Sequence, residues 1–447
     1  MPKYYRLLNT GLIMLAVYNQ AVMAADILEA YRDAVASDPQ LLQAIANREA
    51  GQEAKPQARA GLLPKLDTNG AYGRVFNYQS DVITSLSGKN PTAFNNWNYA
   101  ITLTQPLYNR AAQYTVLQAE SIASQSDADL VAAQQGLVVR VVQSYFGVLS
   151  ALDNLTYRTA EKNAFARQME QAKRRFEVGL VTVTDVAQAQ ARYDLAVADE
   201  LDARKTLADA REALRQVTGK YYDQINVLDE KAPLESVKPD NPDAWVKIAM
   251  DNNPQIRSAM FSVESSRENI EVQRSGHYPT LDLKAQRLDT NSLNLDTQQN
   301  QVGVELRIPL FEGGAVSSQT RQAAYQHEAA KESLEQTQRQ VIRDTRNSYQ
   351  GLETARSRVK ALGQAVISNR SALEATQAGY DVGTRTIVDV LNAERDLLQA
   401  IRDLSLSRYD YVVNVLQLLQ AAGRISGQKE IEKINVWLRP PKEKQPN

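Results

Sequence analysis

The chain has 447 residues, 51 basic and 52 acidic side chains for a net charge of −1, and a mean hydropathy of −0.43. Near-neutral charge gives no reason to expect nucleic acid as a partner, and the negative hydropathy excludes a bundle of membrane helices. Cysteine is absent and histidine occurs only at His277 and His327, which removes thiolate metal sites, disulfides and cysteine nucleophiles and leaves no basis for a histidine zinc centre.

Lys3 and Arg6 precede an apolar run from Leu7 to Val17 and small residues around Val22 to Ala25. This is the layout of a secretory signal peptide cut after Ala24 or Ala25, so residues 1–24 are expected to be an export signal. A membrane anchor, the other reading, needs about 20 apolar residues, more than the run supplies. Cleavage removes both positive charges and leaves about −3 on the mature chain. A mature chain without cysteine cannot carry an acyl anchor on that residue. No later segment reads as a continuous apolar helix long enough to span a bilayer, so a membrane is expected to be met with strands.

The chain then repeats itself. Asp38-Pro39-Gln40 returns as Asn253-Pro254-Gln255, and Leu63-Pro64-Lys65-Leu66-Asp67 as Tyr278-Pro279-Thr280-Leu281-Asp282. Gln105-Pro106-Leu107-Tyr108 matches Ile308-Pro309-Leu310-Phe311, and Phe176-Glu177-Val178-Gly179 matches Tyr380-Asp381-Val382-Gly383. From Tyr145 onward the offset holds at 204 residues, which is duplication rather than a short solenoid period. Each half is expected to hold a helix, two strands and a very long helical stretch.

The strands alternate. Trp97, Tyr99, Ile101 and Leu103 are separated by Asn98, Ala100 and Thr102, and Val302, Val304, Leu306, Ile308 and Leu310 by Gly303, Glu305, Arg307 and Pro309. Partner strands are expected at Leu66–Tyr78 and Leu281–Leu288, with polar loops at Ser80–Asn96 and Asp289–Asn300. One apolar and one polar face suit a barrel with lipid outside and water inside; a small sandwich packed on one face is the alternative. Four strands cannot close a membrane barrel, since the smallest have about eight, so several chains must contribute.

No proline occurs between Pro106 and Pro233 or between Pro309 and Pro440. Val131, Val138, Tyr145 and Leu152 recur every seven residues, with Val142 and Leu149 interleaved, and Leu352, Val359, Val366, Leu373 and Tyr380 keep the same period. That pattern predicts long helices in left-handed coiled-coil packing. Val178-Gly179-Leu180 and Val382-Gly383-Thr384 interrupt the two stretches, and glycine there permits a reversal, so each stretch is expected to be a helical hairpin.

The export signal, the duplicated strand pairs, the prolines at the strand-to-helix junctions and the paired tips together resemble the TolC-like outer-membrane efflux protein family. The motif running from Ala378-Gly379-Tyr380 through Gly383-Thr384-Arg385-Thr386 to Asp389-Val390-Leu391 is its most specific part, and the likeness extends from Asp26 to about Gly423. The resemblance implies a mainly helical chain with four strands that trimerises into a twelve-stranded outer-membrane barrel and a helical tunnel through the periplasm. It implies residues 25–219 as a first repeat and 251–424 as a second, with 220–250 and the tail 425–447 forming a belt around the tunnel.

It further implies a gate latch of Asp185, Tyr380 and Arg385. A phenol and a guanidinium near one carboxylate can form such a latch; as solvated helix charges they would contribute under about 1 kcal/mol. In a trimer Asp389 becomes a ring of three carboxylates at the pore constriction, where a cation is attracted and an anion repelled. Asn392 stands where related channels can present a second acidic ring, so weaker cation selectivity is expected. Small residues at Val178, Gly179, Leu180, Val382, Gly383 and Thr384 offer a docking place for a partner's helical hairpin, or serve the turn alone.

The expected function is passive exit from periplasm to exterior for type I protein secretion, drug efflux or both, with exported proteins or small molecules as cargo. The implied partners are two further copies of the chain, outer-membrane lipid, and a periplasmic adaptor with an inner-membrane ABC or proton-driven pump. A periplasmic coiled-coil adaptor and a soluble helical scaffold are the other readings, and alternating-face strand pairs argue against both. No nucleophile–base grouping, phosphate loop or metal spacing occurs, so neither catalysis nor a cofactor is expected.

Overall fold

The computed structural model describes residues 24–76, 93–229, 232–233, 237–292 and 295–441. The export signal before Ala24 and most of the expected loop at Ser80–Asn96 lie outside the described residues.

Prolines and caps start the short helices. Helix α1 (Ile27–Ser37) is capped by Asp26; α2 (Pro39–Gln52) starts on Pro39, with the Asp38 carboxylate accepting from the N–H of Gln40 at 2.7 Å and of Leu41 at 2.9 Å. After α3 (Ala54–Ala60), strands β1 (Lys65–Phe76) and β2 (Ala93–Tyr108) lead to α4 (Arg110–Glu177) and α5 (Val183–Thr218). Strand β3 (Val227–Leu228) and α6 (Pro242–Asn252) follow. The second half opens on α7 (Pro254–Arg274), where Asn253 accepts from the N–H of Gln255 at 2.8 Å, so the repeated acidic-or-amide, proline, glutamine triplet is a helix start used twice. Strands β4 (Thr280–Ser292) and β5 (Leu295–Arg307), helices α8 (Ala315–Asp381), α9 (Ile387–Ala421) and α10 (Gln428–Asn435), and strand β6 (Leu438–Arg439) complete the chain.

The large sheet runs β1-β2-β4-β5, antiparallel throughout, and leaves β1 and β5 as its edges. Its apolar face carries Leu66 and Tyr72 opposite Leu103 and Trp97, and Leu281, Leu283 and Ala285 opposite Leu306, Val304 and Val302. The apolar positions lie further from the helices in β1 and β2 than in β4 and β5. That slant is what tilted strands crossing a level apolar layer require.

The expected loop at Asp289–Asn300 is a correction. Strand pairing continues through Asp289↔Gln298, Thr290↔Thr297 and Asn291↔Asp296, because polar side chains on both faces suit strands that have left the apolar layer. Ala93–Asn96 likewise belongs to β2, whereas β5 ends at Arg307, ahead of Ile308 and Pro309, the latter lacking a backbone donor.

Helices α4 and α8, of 68 and 67 residues, run away from the sheet for about 100 Å at 1.5 Å per residue. Next to the sheet, α7 packs between α4 and α8, with α2 and α3 on the far side of α4; toward the tips α9 takes the place of α7 and α5 that of α2 and α3. The core sits midway, where Leu137, Val138, Val142, Tyr145 and Leu149 of α4 meet α1, the end of α5, α9 and α10. One stretch of α4 is apolar enough by composition to cross a bilayer, contrary to the sequence expectation, but most of it is buried inside the protomer. The Tyr145 hydroxyl shares its one proton between the carbonyls of Ala25 and Asn226 at 3.1 and 2.9 Å, tying the start of the described chain to the segment that follows α5. A second cluster places Trp245 of α6 against Leu352, Ala355 and Val359 of α8.

Candidate functional site at the hairpin tips

Both hairpins turn in the same way. Gly179 and Gly383 take φ of 74° and 81°, the left-handed region that a side chain would strain. At the second tip the Gly379 carbonyl accepts from the N–H of Thr384 at 2.8 Å, the N–H of Arg385 at 3.2 Å and the Thr384 hydroxyl at 3.0 Å. Val178, Leu180 and Val382 stand at the apices with over two thirds of their surface exposed.

The returning helices begin with matching capping boxes. The Asp185 carboxylate accepts the Thr182 N–H and hydroxyl, both at 2.8 Å, while the Thr182 hydroxyl accepts from the Asp185 N–H at 3.3 Å. Asp389 does the same with Thr386, at 2.9, 2.8 and 3.2 Å. Bonds from the threonine backbone, then from its hydroxyl, hold both carboxyls below the usual carboxylate range, and Arg385 adds to the effect at Asp389. Both are therefore ionised at neutral pH. In each the bonds use Oδ2, and Oδ1 has no partner among the described residues.

Asp185, Tyr380 and Arg385 do not meet within one protomer. Asp185 begins α5, while Tyr380 ends α8, and α5 and α8 form the two outer edges of the tip layer, with α4 and α9 between them. Asp185 instead lines a groove with Arg175, Gln188 and Arg192 that reaches Ile387 and Val388 of α9. Arg385 lies across Gly379, so close that a Cβ there would come within 2.7 Å of the arginine Cγ. Asp389 and Asn392 are half-buried in the first turns of α9.

Further from the tip, polar pairs clamp α9 onto α4. Arg167 reaches Glu394 at 3.3 Å, Arg402 lies 4.6 Å from the centre of the buried Tyr157 ring, and the Tyr409 hydroxyl donates to Asp153 at 2.8 Å. Tyr409 also stacks on Phe146 with ring centres 5.3 Å apart. Sequence reasoning passed over Thr182 and, although Gly379 and Thr386 stand in the tip motif, gave neither a role. A threonine three residues ahead of an aspartate at a helix start was a readable signal for the two caps; nothing local marks the clamp residues. Among the described residues no cluster of three or more histidine or acidic side chains could hold a metal.

With this geometry in place, the comparisons are specific. The family model described as outer membrane efflux protein matches residues 30–220 and 245–424. The chain is 39% identical to the outer membrane protein TolC of Vibrio cholerae over 95% of this chain and 96% of that protein. It is 29% identical to the alkaline protease secretion protein AprF of Pseudomonas aeruginosa, over 92% and 86% respectively. The crystal structure of the Campylobacter jejuni CmeC outer membrane channel shares the fold, with a TM-score of 0.76 at 17% identity and 98% of each chain covered.

Proposed function

The chain belongs to the outer membrane efflux protein family, as an exit channel of the outer membrane that reaches into the periplasm, and from that premise we propose that three copies form one duct closed at its hairpin tips. The observation that carries the proposal is the coincidence of unpaired edges. Strand β1 follows α3 on one side of the protomer, and β5 leads into α8 on the other. Pairing β1 of one copy with β5 of the next continues the antiparallel order and removes every edge. Two copies give eight strands, whose interior side chains fill; three give twelve and leave a lumen.

The same step brings α5 of one copy against α8 of the next. Asp185 then faces a neighbour's Tyr380 and Arg385, with its Oδ2 fixed by Thr182 and its Oδ1 open to a donor. The latch is an intersubunit contact, prepaid in orientation by the cap. Asp389 forms the constriction ring, and the exposed apices Val178, Gly179, Leu180, Val382, Gly383 and Thr384 receive a periplasmic adaptor linked to an inner-membrane pump. The duct is a passive conduit without a catalytic centre, serving protein secretion, efflux or both. An adaptor reading has no use for a sheet with one apolar face.

A cysteine-free chain makes the test direct. Asp185→Cys combined with Tyr380→Cys, oxidised in intact cells, is expected to give covalent dimers and trimers. Monomers with an internal disulfide, or no disulfide at all, would overturn the intersubunit latch.

A further inference from the structure

We infer that the described strands of the barrel meet cargo with charge at one level only, a balanced collar at the inner mouth, and that the lumen face of these strands beyond it is electrostatically silent. This rests on the channel reading above, which makes the apolar sheet face the lipid side and the opposite face the lumen. Strand register assigns the lumen side chains without ambiguity, because directly opposed residues share a face.

Nearest the helices, the lumen face pairs Thr280 with Arg307 and Asp282 with Glu305. The next row runs Lys65, Thr104, Lys284 and Gly303, and the one beyond it Asp67, Thr102, Gln286 and Gln301. These rows contain Lys65, Lys284 and Arg307 against Asp67, Asp282 and Glu305, three charges of each sign. Lys284 pairs with Glu305, and Lys65 reaches Asp67 at 3.3 Å, so the collar is internally neutralised.

Beyond it the charge stops. The following rows read Asn69, Ala100, Leu288 and Gln299, then Ala71, Asn98, Thr290 and Thr297, then Gly73 with Asn96. Among the described residues no ionisable side chain stands on that face from Asn69 outward. The charged residues in the same stretch, Arg74, Arg287, Asp289 and Asp296, register on the opposite, lipid-side face, where Arg287 and Asp289 pair at 3.2 Å. A face of amides and hydroxyls interspersed with small and apolar side chains, among them Leu288, Val75 and Phe94, holds neither sign of charge. Cargo that clears the collar therefore passes these strands without electrostatic retention, and the collar pairs set their ionic preference.

The absence of native cysteine allows the potential to be read position by position. Single substitutions Asn98→Cys, Gln299→Cys and Thr104→Cys would be reacted from the cell exterior with a trimethylammonium and a sulfonate methanethiosulfonate, each rate normalised to that of a free thiol. Asn98→Cys and Gln299→Cys are expected to show a cation-to-anion rate ratio within about twofold of unity, insensitive to salt. At Thr104→Cys, adding Lys65→Gln, Lys284→Gln and Arg307→Gln should raise that ratio by about fivefold at low salt, and removing the three acids should lower it comparably. A strong preference beyond the collar, or no response at Thr104→Cys to either set of changes, overturns the inference. If Val302→Cys on the opposite face reacts while Gln299→Cys does not, the channel reading itself fails.

Discussion

Asp389 and Asp185 occupy the same place in two halves of the chain, 204 residues apart, and each accepts both the N–H and the hydroxyl of the threonine three residues before it. The proposed constriction ring and the proposed latch acid are thus one structural device used twice. Duplication supplied the cap; the neighbours then separated the roles.

Removing a cap should loosen a tip and leave its carboxylate with the threonine N–H but without the hydroxyl donor. Thr386→Ala costs the start of α9 about 1 kcal/mol, which corresponds to roughly fivefold faster exchange of the first-turn amides of that helix. Hydrogen exchange on the intact trimer checks it. Unchanged protection from Ile387 to Val390 would show that neighbouring chains, and not the cap, hold the turn.

Gly379→Ala is expected to act on Arg385 at one remove. The added methyl would collide with the Arg385 Cγ, at 2.7 Å, and the arginine must leave its place across the turn. Single-channel conductance should rise, as is also expected of Arg385→Ser. A variant that conducts like wild type while Arg385→Ser opens would mean the arginine's path over Gly379 is incidental.

Acid should affect the α4–α9 contact at Asp153 and the tips in opposite senses. Burial holds the Asp153 carboxyl above its usual range, against the hydrogen bonds from Tyr409 and Ser405. Its ionisation penalises the folded state fully above that raised pKa, and the penalty fades as pH falls toward the ordinary value of 3.8. Asp185 and Asp389 contribute stability that is present above 3.8 and is lost as pH falls through their depressed pKa values. Protection factors near Asp153 should therefore rise as the pH approaches 3.8 from above, and those at the tips fall only below it. Asp153→Asn should flatten the first trend alone.

Tyr409→Phe leaves the Asp153 carboxylate without its phenolic donor while preserving the stack on Phe146. A loss of about 1–3 kcal/mol is expected, read as a lower unfolding midpoint of the trimer at neutral pH.

Asn392 is the sequence's own statement about selectivity. Asn392→Asp places a second carboxylate one turn beyond Asp389 and should deepen divalent-cation block of the channel. No change in block would place that side chain away from the constriction.

Much of this protein was legible before its structure. Alternation gave the sheet faces, the heptads gave the coils, and Gly179 and Gly383 gave the reversals, because each is a local rule with a short period. The polar continuation of β4 and β5 through Asp289 and Gln298 was not legible, since residues that favour turns also suit strands standing in water on both sides. The clamp of Tyr157, Asp153, Arg402 and Tyr409 was also hidden, because its partners lie over 240 residues apart and no local pattern announces a cross-helix contact. Asp185, Tyr380 and Arg385 came from resemblance, and one protomer cannot assemble them.

The central claim is that the tips are the closed end of a water-filled duct, and single-channel recording in a planar bilayer tests it most directly. The wild-type trimer should show a low, steady conductance, and Tyr380→Phe combined with Arg385→Ser should raise it several-fold while the trimer stays intact. A conductance that the double substitution leaves unchanged, in trimers that insert normally, would contradict the account.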